Sequence, residues 1–491
     1  MAVPFNLSYK LNKECYLTQR SFSQSDQIDF AKLSGDYNPV HLDPLKARRM
    51  HCGQTIVHGS HALLWALDTL FSQKSSLLKL VSLKTSFNQF IGVGQTVQFN
   101  LKAKDETSAE IQLISGNQQA ARIIVVFSSS VNEECLSFPD LNPVHGECLD
   151  RTTEQLNKVW GSIDLCLSQN ETACRFPSLM RVFPSSQIAE LMSLTRLLGM
   201  ECPGLHSMFS DLNLEFSNPC EKNSRLNYQV LSHDPRIGLL TVAVQAPGMK
   251  GTLRAFVRSS PQSQGAYLEL SKLVQKDEFS DQKALIIGGS RGLGEVTSKL
   301  LAAGGARVVI TYCLGSHEAQ SIVEQIKKEG GSAKCFAYDV LDPKSLRKKD
   351  LKSEWAPTHL YYFATPVISM GLRSSFSLSL FQKFCDYYVA GFFNTFQIVQ
   401  RVGQQLNGIF YPSTVFIDDL PSNMAEYVAA KSAGESICAL LHKKSPSMNI
   451  FKPRLPKAAT DQTASLLPTD KKDPALLMLE KLRQFQAKGK V

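Results

Sequence analysis

Residues 34–41 read Ser-Gly-Asp-Tyr-Asn-Pro-Val-His, a short stretch that carries a carboxylate and an imidazole. Pro39 fixes its own φ angle and pushes Asn38 out of the helical region, so the stretch cannot continue the helix predicted just before it. Because the chain bends here, the side chains of Asp36 and His41 can face one site. The stretch therefore predicts an acid/base pair.

The residues that follow extend this pattern. Leu-Asp-Pro comes next, Ile-Val-His-Gly occupies 56–59, and the apolar periodicity of 60–67 predicts a helix. Together these residues resemble the active-site signature of the R-specific enoyl-CoA hydratases, the hot-dog-fold family also called MaoC-like dehydratases. The resemblance implies an antiparallel sheet that wraps this helix. It also implies catalytic roles for Asp36, His41 and the N–H of Gly59, which at a helix N-terminus can hold a thioester oxyanion.

An alternative interpretation of Asp36 and His41 is less specific. In it the stretch is a polar turn, Asp36 caps a helix or is solvated, and His41 is a surface histidine. An isolated Asp/His pair would favour this alternative, whereas the complete signature with a helix after it favours catalysis.

A helix followed by an antiparallel meander is predicted twice in the first half of the chain. The first meander has predicted strands at 80–91, 96–103, 108–114 and 119–127. The second copy has an apolar helix at 187–199 and predicted strands at 204–216, 225–231, 239–245 and 251–257. No Asp-x-Asn-Pro-x-His precedes the second helix, so this copy resembles the non-catalytic half of a double hot dog, which pairs with the active half. Its Leu/Met stripe indicates core packing or, as an alternative, an acyl-chain tunnel between the halves.

The pattern changes beyond residue 280, where short buried strands alternate with helices. This alternation predicts an α/β domain with a doubly wound parallel sheet. The turn Gly288-Gly-Ser-Arg-Gly-Leu-Gly294 lies between a strand and a helix and resembles the nucleotide loop of the short-chain dehydrogenase/reductase family. The resemblance implies a Rossmann-like fold. The implied cofactor-binding residues are Gly288, Ser290, Arg291, Gly292, Leu293, Gly294, Asp339, Val340 and Lys431.

The same resemblance implies a second catalytic centre. Tyr427-Val-Ala-Ala-Lys431 matches the family's Y-x-x-x-K, and on a helix this spacing puts the phenol and the ammonium on one face. The lysine cation is expected to lower the pKa of the phenol, which exchanges a proton with the substrate oxygen during hydride transfer. Ser413 and Thr414 lie upstream on a strand predicted at 409–417, and a hydroxyl there would orient the substrate carbonyl.

The charge of the loop residues predicts the cofactor. Thr311-Tyr-Cys313 carries no acid that would repel a ribose 2′-phosphate, and Arg291 can pair with such a phosphate. NADPH is therefore favoured.

Four departures from the family pattern bear on turnover more than on nucleotide binding. Ile287 replaces a threonine before the loop, and Tyr388 stands where a catalytic asparagine is usual. Phe363-Ala-Thr-Pro366 replaces Asn-Asn-Ala-Gly, and Lys452-Pro-Arg-Leu-Pro456 replaces the final Pro-Gly motif.

The composition is that of an ordinary globular chain. It has 491 residues, 43% hydrophobic and 20% charged, and a formal net charge of +9. Its lysines and arginines are scattered apart from the tail, so anionic thioesters and nucleotides explain the basic excess equally well, and no nucleic acid is expected. The 12 cysteines show no metal-binding spacing, there is no signal peptide, and no apolar run approaches 18 residues. These features predict a cytoplasmic protein with no metal site and no membrane span.

Such a length is too great for a single core, so we expect three domains. The predicted parts are a catalytic hot-dog domain (1–135), a degenerate hot-dog domain (150–258), an NADP-binding reductase domain (280–460) and a C-terminal helical tail (461–491). The tail is expected to pack on the reductase domain or between subunits of a homodimer formed through that domain.

Both centres resemble enzymes that act on acyl thioesters of CoA or acyl carrier protein. We therefore predict a bifunctional enzyme that reduces 3-oxoacyl to (R)-3-hydroxyacyl with NADPH and dehydrates the product to trans-2-enoyl, in fatty-acid-like or polyketide-like synthesis. One alternative is a dehydratase with a nucleotide-binding but non-catalytic appendage. Another is an inactive scaffold that binds a carrier protein.

Overall fold

The computed structural model describes residues 15–116, 118–129, 138–218, 224–346, 348–368, 376–402, 406–463 and 470–489. The chain forms two compact units, one that ends at Ser260 and one that begins at Pro261. The sequence predicts three domains and a tail. The described parts of the two predicted hot-dog domains share one sheet and lie in the same unit. No helix in the described parts of the chain is long and apolar enough to cross a bilayer.

The first unit is an antiparallel sheet with helices packed against it. Its strands are β1 (Cys15–Ser21), β2 (Leu78–Phe87), β3 (Thr96–Asp105), β4 (Ser108–Ser115), β5 (Gln118–Ser129), β6 (Trp160–Asp164), β7 (Ser207–Phe216), β8 (Arg225–Asp234), β9 (Leu239–Ala246) and β10 (Met249–Val257). Its helices are α1 (Gln24–Ser34), α2 (Pro39–Leu42), α3 (Pro44–Ala47), α4 (Gly59–Leu70), α5 (Gln169–Arg175), α6 (Pro177–Val182) and α7 (Ser185–Arg196), which continues into a π-helical turn (Leu197–Glu201). The edge strands β1 and β6 and the helices α5 and α6 were not predicted.

The ten strands form two halves with the same internal order. The sheet runs β1-β3-β4-β5-β2-β7-β10-β9-β8-β6, and every pairing in it is antiparallel. The halves meet where β2 pairs with β7, with Leu83 opposite Leu214. The antiparallel sheet predicted for this part of the chain is therefore confirmed.

Helix α4 is apolar on nearly all sides, which fits a helix enclosed by protein rather than one that faces water. Leu63, Leu64, Ala66 and Leu67 are all buried in one core that also contains residues of β2 to β5 and of α7. Truncation of such a leucine to alanine costs about 2–5 kcal/mol. The core therefore fixes where α4 begins, at Gly59.

The turn that carries Asp36 follows a well-capped helix. Ser23 and Asp26 form a capping box at the start of α1, and Gly35 ends the helix with a φ of +76°. A Cβ atom at this glycine would lie 2.6 Å from Pro143, so both the conformation and the space require glycine. Asp36 is thereby directed inward, and it is 1% exposed.

The second unit is built on parallel strands. They are β11 (Lys283–Ile287), β12 (Arg307–Tyr312), β13 (Ser332–Ala337), β14 (His359–Tyr362), β15 (Gly408–Phe410), β16 (Ser413–Thr414), β17 (Asn449–Phe451) and β18 (Arg454–Leu455). The helices are α8 (Tyr267–Ser271), α9 (Gly292–Ala303), α10 (Ser316–Lys328), α11 (Leu378–Cys385), α12 (Phe392–Arg401), α13 (Phe416–Asp419), α14 (Ala425–Lys444) and α15 (Pro474–Lys488), with a π-helical turn (Asp386–Gly391) between α11 and α12.

The six-stranded sheet of this unit runs β13-β12-β11-β14-β15-β17, all parallel, as predicted. The strand order reverses direction between β11 and β14. Ligands of such sheets bind outside the carboxyl ends of the strands at this switch point. The loop that starts at Gly288 follows β11, and the segment from Phe363 to Pro366 follows β14. The strand predicted at 409–417 is instead divided into β15, β16 and α13.

The tail helix α15 belongs to the second unit. Asp473 caps its N-terminus, and Phe485 packs against Phe410 and Phe451 of the sheet. The tail therefore packs on the second unit, which is one of the two predicted arrangements.

Candidate functional site

The Asp36 carboxylate is held by two hydrogen-bond donors. Thr195 Oγ1 donates to Oδ2 at 2.6 Å, and the backbone N–H of Asn38 donates to Oδ1 at 3.2 Å. Burial raises the pKa of Asp36, while the interaction with His41 and these two hydrogen bonds oppose the rise. The buried carboxylate is therefore easier to protonate than an exposed one.

His41 is poised as a proton acceptor. Its Nδ1 lies 2.8 Å from the carbonyl oxygen of Ile56, so Nδ1 must carry the hydrogen and Nε2 the lone pair. Burial, and then the neighbouring His58, lower the pKa of His41 to about 3, so its ring is neutral near neutral pH. The sequence prediction that Asp36 and His41 face one site agrees with this arrangement.

His58 is a third member of the site that the sequence did not identify. Its ring stacks on that of His41 with centroids 3.7 Å apart, and its Nε2 lies 3.0 Å from the carbonyl oxygen of Asp36. Gln27 Oε1 accepts from the His58 backbone N–H at 3.0 Å and lies 2.9 Å from the ring Nδ1. His58 therefore fixes the spacing between the two predicted catalytic groups.

Asp36, His41 and His58 place one ligand atom each within 4.8 Å of one another, close enough for a metal ion. Both ring nitrogens of His58 face oxygen atoms, however, which favours hydrogen bonding over metal coordination. The contacts thus fit proton transfer better than a metal centre.

The second half of the sheet unit completes this site. Thr195 comes from α7, and Gly199 comes from the π-helical turn after it. A Cβ atom on Gly199 would lie 2.2 Å from Asp36 Oδ1, and Asn38 Nδ2 donates to the Gly199 carbonyl at 3.0 Å. This half lacks the Asp-x-Asn-Pro-x-His motif. It supplies contacts that position the Asp36 and His41 pair of the first half.

Gly59 is the first residue of α4, so its N–H has no acceptor earlier in the helix. A Cβ atom there would lie 3.1 Å from the Phe87 ring. The position suits the predicted oxyanion donor, and that role stays a prediction.

The predicted nucleotide loop has the backbone that a pyrophosphate requires. Gly288 and Gly292 have φ angles of +76° and +58°, and a Cβ atom on Gly294 would lie 2.3 Å from the carbonyl oxygen of Gly288. Arg291 is the N-cap of α9, which begins at Gly292. Ser290 is buried, and Leu293 packs at the edge of the core in the first turn of this helix. These features leave a helix N-terminus at the switch point of the sheet, where a diphosphate fits.

Asp339 and Val340 follow β13 at the same edge of the sheet. The Asp339 carboxylate accepts from the N–H of Leu341 at 2.9 Å, which orders the turn, and Val340 is buried. Their predicted contact with the adenine stays a prediction.

Tyr427 and Lys431 lie on α14, one turn apart, as predicted. The Tyr427 phenol is hydrogen-bonded to Thr414, and Lys431 Nζ donates to the carbonyl oxygen of Pro412 at 2.7 Å. Burial raises the pKa of Tyr427 to about 12 against this hydrogen bond, and burial lowers the pKa of Lys431 to about 7. The pKa of the phenol is therefore raised, and not lowered as the sequence predicted, because burial disfavours the phenolate.

Ser413 faces away from Tyr427, unlike Thr414. Its hydroxyl donates to Glu435 Oε1 at 2.5 Å, and the Glu435 carboxylate also pairs with Arg454 through two bonds of 3.0 Å. The segment from Lys452 to Pro456 that replaces the Pro-Gly motif is thus tied to α14. The sequence does not show which of the two adjacent hydroxyls faces the phenol, because this depends on how β16 ends.

Comparisons with known proteins match the two units of the chain to two different families. The family model described as "MaoC like domain" matches residues 8–122, and the one described as "short chain dehydrogenase" matches residues 282–451. The short-chain dehydrogenase/reductase FrzI of Cladobotryum sp is 47% identical over 53 residues, 11% of this chain and 20% of that protein. The 3-oxoacyl-[acyl-carrier-protein] reductase of Synechocystis sp. is 44% identical over 52 residues, 11% of this chain and 21% of that protein. The chain thus matches about a fifth of the length of these relatives.

Among solved structures, a short chain dehydrogenase from Burkholderia cenocepacia J2315 in complex with NADP is 24% identical, with a TM-score of 0.35. The match covers 38% of this chain and 78% of that one. Together, the two family matches cover the two predicted catalytic centres. The chain therefore joins a MaoC-like domain to a short-chain dehydrogenase domain.

Proposed function

We propose that this protein is a bifunctional enzyme of acyl-thioester metabolism, which reduces 3-oxoacyl groups with NADPH and dehydrates the resulting (R)-3-hydroxyacyl groups to trans-2-enoyl groups. The observation that carries the proposal is the buried pair of Asp36 and His41, in which a carboxyl group with a raised pKa lies within 4.8 Å of an imidazole whose Nε2 carries the lone pair. A dehydratase needs one group that donates a proton and one that accepts a proton.

In the dehydration step, His41 Nε2 takes the proton from C2 of the 3-hydroxyacyl thioester. The electrons of that C–H bond form the C2–C3 double bond, and the C3–O bond breaks. Asp36 gives its proton to the departing hydroxyl group, which leaves as water. The N–H of Gly59 is placed to bind the thioester oxygen, on which negative charge develops.

The second unit fits a nicotinamide dinucleotide. The glycine loop leads into the N-terminus of α9, where helix N–H groups can bind the diphosphate, and Arg291 at the start of α9 can pair with a 2′-phosphate. The bound cofactor would supply the hydride for C3 of the substrate. Tyr427, whose pKa is about 12, keeps its proton near neutral pH and gives it to the carbonyl oxygen, and Thr414 orients that phenol.

The two halves of the sheet unit support a double hot dog. They repeat one strand order, and the half without an acid/base motif positions the pair of the other half. A CoA or acyl carrier protein thioester is the proposed substrate, and a homodimer through the reductase domain is the proposed assembly.

A second candidate is a dehydratase whose C-terminal domain binds nucleotide without turnover. The exchange of Asn-Asn-Ala-Gly for the segment from Phe363 to Pro366 favours it. Nucleotide binding with no NADPH consumption on any 3-oxoacyl thioester would select this candidate.

The dehydratase is tested by hydration of a trans-2-enoyl thioester, the reverse reaction. Asp36→Asn and His41→Ala should each lower the rate by roughly two orders of magnitude or more, with the folded state retained by circular dichroism. His233→Ala, on β8 and outside the site, is the control. Near-normal hydration by a folded Asp36→Asn or His41→Ala variant would disprove the assigned roles.

A further inference from the structure

Lys431 is a buried cation with an unusual set of neighbours. Its Nζ donates to the Pro412 carbonyl and lies 4.0 Å from the centre of the Tyr388 ring and 5.1 Å from that of Tyr411. An ammonium group has three N–H donors, and an aromatic face within about 6 Å attracts it. The rings of Tyr388 and Tyr411 are therefore close enough to attract the ammonium group.

The Glu435 carboxylate does not bind the Lys431 ammonium in place of this ring, because its oxygens have other partners. Glu435 lies one turn further along α14 and acts on Lys431 through its charge, but both its oxygens are already bonded to Arg454 and one of them to Ser413. Cys438, also on α14, acts on Lys431 through its charge as well, and Tyr388 and Tyr411 are themselves titratable phenols. Among the described residues, Tyr388 and Tyr411 are thus the aromatic faces placed over the ammonium.

Several contacts fix the ring of Tyr388 in this position. Its hydroxyl is 2.6 Å from Thr365 Oγ1, in the segment after β14, and its ring is 1% exposed. It lies in the π-helical turn between α11 and α12, where the hydroxyls of Tyr362 and Tyr411 donate to the carbonyl oxygens of Tyr387 (2.6 Å) and Tyr388 (3.0 Å). A wider turn of this kind is often found at functional sites. The turn is held from β14 and from the residue that follows β15, so the ring has little freedom to leave Lys431.

We propose that Tyr388 is a positioning residue of the reductase site, whose ring face keeps the Lys431 side chain charged and directed along α14 beside Tyr427. The inference rests on the proposed reductase. Tyr388 contacts Tyr427 edge to face, with ring centroids 5.7 Å apart, so one side chain packs against both members of the Tyr/Lys pair. At the position where a catalytic asparagine is usual, this chain therefore has an aromatic face and an anchored hydroxyl in place of an amide.

The inference predicts a coupling that depends on the charge of Lys431. Burial lowers the pKa of Lys431 to about 7, so the side chain is mostly charged at pH 6 and mostly neutral at pH 9.5. A ring face stabilises the ammonium but not the neutral amine. Tyr388→Leu and Lys431→Met should therefore be non-additive at pH 6, by about 2-fold to 30-fold in the folding equilibrium constant, and close to additive at pH 9.5.

The measurement is equilibrium unfolding in urea of the full chain and of the two single variants and the double variant. Of the three tryptophans, Trp355 alone lies in the second unit, so its fluorescence reports this unit in a background with Trp65→Phe and Trp160→Phe. Phe384→Leu is the matched control, because Phe384 is buried and stacks on Tyr388 without a ring contact to Lys431. Phe384→Leu should show no pH-dependent coupling to Lys431→Met. Tyr388→Phe keeps the ring, so Lys431→Met should change the stability of this variant as much as it does that of the wild type.

Equal coupling at pH 6 and pH 9.5, or none at either pH, would overturn the inference, because packing alone does not depend on the charge of Lys431. A second readout is the pH profile of NADPH oxidation, whose basic limb should move to lower pH in Tyr388→Leu by about half a unit or more. A parent chain that reduces no 3-oxoacyl thioester would disprove the proposed reductase, and the unfolding experiment would still decide whether Tyr388 holds the cation.

Discussion

At the residue scale, two adjacent hydroxyls in the second unit have different partners. Thr414 bonds to the Tyr427 phenol, and Ser413 bonds to the buried Glu435 carboxylate. Adjacent residues of a strand face opposite sides, so a substrate bound at Tyr427 can meet only one of these hydroxyls.

This difference gives the first prediction. Thr414→Val should lower the rate of 3-oxoacyl reduction by about tenfold, because the phenol loses the hydrogen bond that orients it. Ser413→Ala should instead destabilise the second unit by about 1–3 kcal/mol, since Glu435 loses a donor, with a smaller effect on the rate. Rates and urea midpoints of both variants check this. A larger loss of rate in Ser413→Ala than in Thr414→Val would contradict the assignment.

Arg291 gives a prediction about cofactor choice. It lies at the start of α9 beside the glycine loop, where a 2′-phosphate can pair with its guanidinium group. NADPH should bind more tightly than NADH, and Arg291→Ala should narrow the difference by about 1–3 kcal/mol. Calorimetric titration with both nucleotides measures this, and equal affinities in the unmodified chain would refute the argument.

At the element scale, α7 and its π-helical turn belong to the second half of the sheet unit but contribute residues to the site in the first half. Thr195 donates to Asp36, and Gly199 leaves the space that the Asp36 carboxylate occupies. The acid/base pair therefore depends on a helix more than 150 residues away in sequence.

This dependence predicts a pH effect. The Thr195 hydroxyl lowers the pKa of Asp36, so Thr195→Val should raise that pKa further and move the corresponding limb of the hydration pH–rate profile to higher pH. Thr172→Val is the control, because the Thr172 hydroxyl is buried and has no hydrogen-bond partner among the described residues. A limb that stays in place, or moves to lower pH, would show that Thr195 does not act on Asp36.

A second acid on α7 links this helix to pH-dependent stability. Glu190 is buried, accepts from the N–H of Gly248 at 2.7 Å, and has its pKa raised to about 7 by burial. The folded state therefore binds this proton more tightly than the unfolded state, so stability should fall by up to about 3 kcal/mol as pH rises from roughly 4.5 to 7. Glu190→Gln should remove this dependence, and Glu171→Gln, at an exposed site, should not. Identical urea-midpoint profiles for wild type and Glu190→Gln would contradict the account.

Features set by neighbouring residues were predictable from the sequence. The helix before Asp36, the bend at Pro39 and the glycine loop before α9 depend on local capping, on the fixed φ of proline and on positive φ angles. The contacts of Thr195 and Gly199 with Asp36 were not predictable, because they join positions about 160 residues apart. The pKa of Tyr427 was predicted in the wrong direction because burial, which the sequence does not show, disfavours the phenolate.

At the scale of the whole molecule, each compact unit contains one of the two proposed centres. Asp36 and His41 lie before Ser260, and Tyr427 and Lys431 lie after Pro261. The product of the proposed reductase is the substrate of the proposed dehydratase, so their connection in one chain raises the local concentration of the intermediate. The central claim is that the chain carries out both reactions in sequence.

The most direct test is to incubate the purified full chain with a 3-oxoacyl thioester and NADPH and to follow both NADPH absorbance and thioester products. Wild type should consume NADPH and form trans-2-enoyl thioester, Asp36→Asn should consume NADPH and accumulate the 3-hydroxyacyl thioester, and Tyr427→Phe should consume almost no NADPH while it still hydrates enoyl thioesters. Failure of wild type to consume NADPH with any 3-oxoacyl thioester, over a range of acyl lengths on both CoA and acyl carrier protein, would contradict the account.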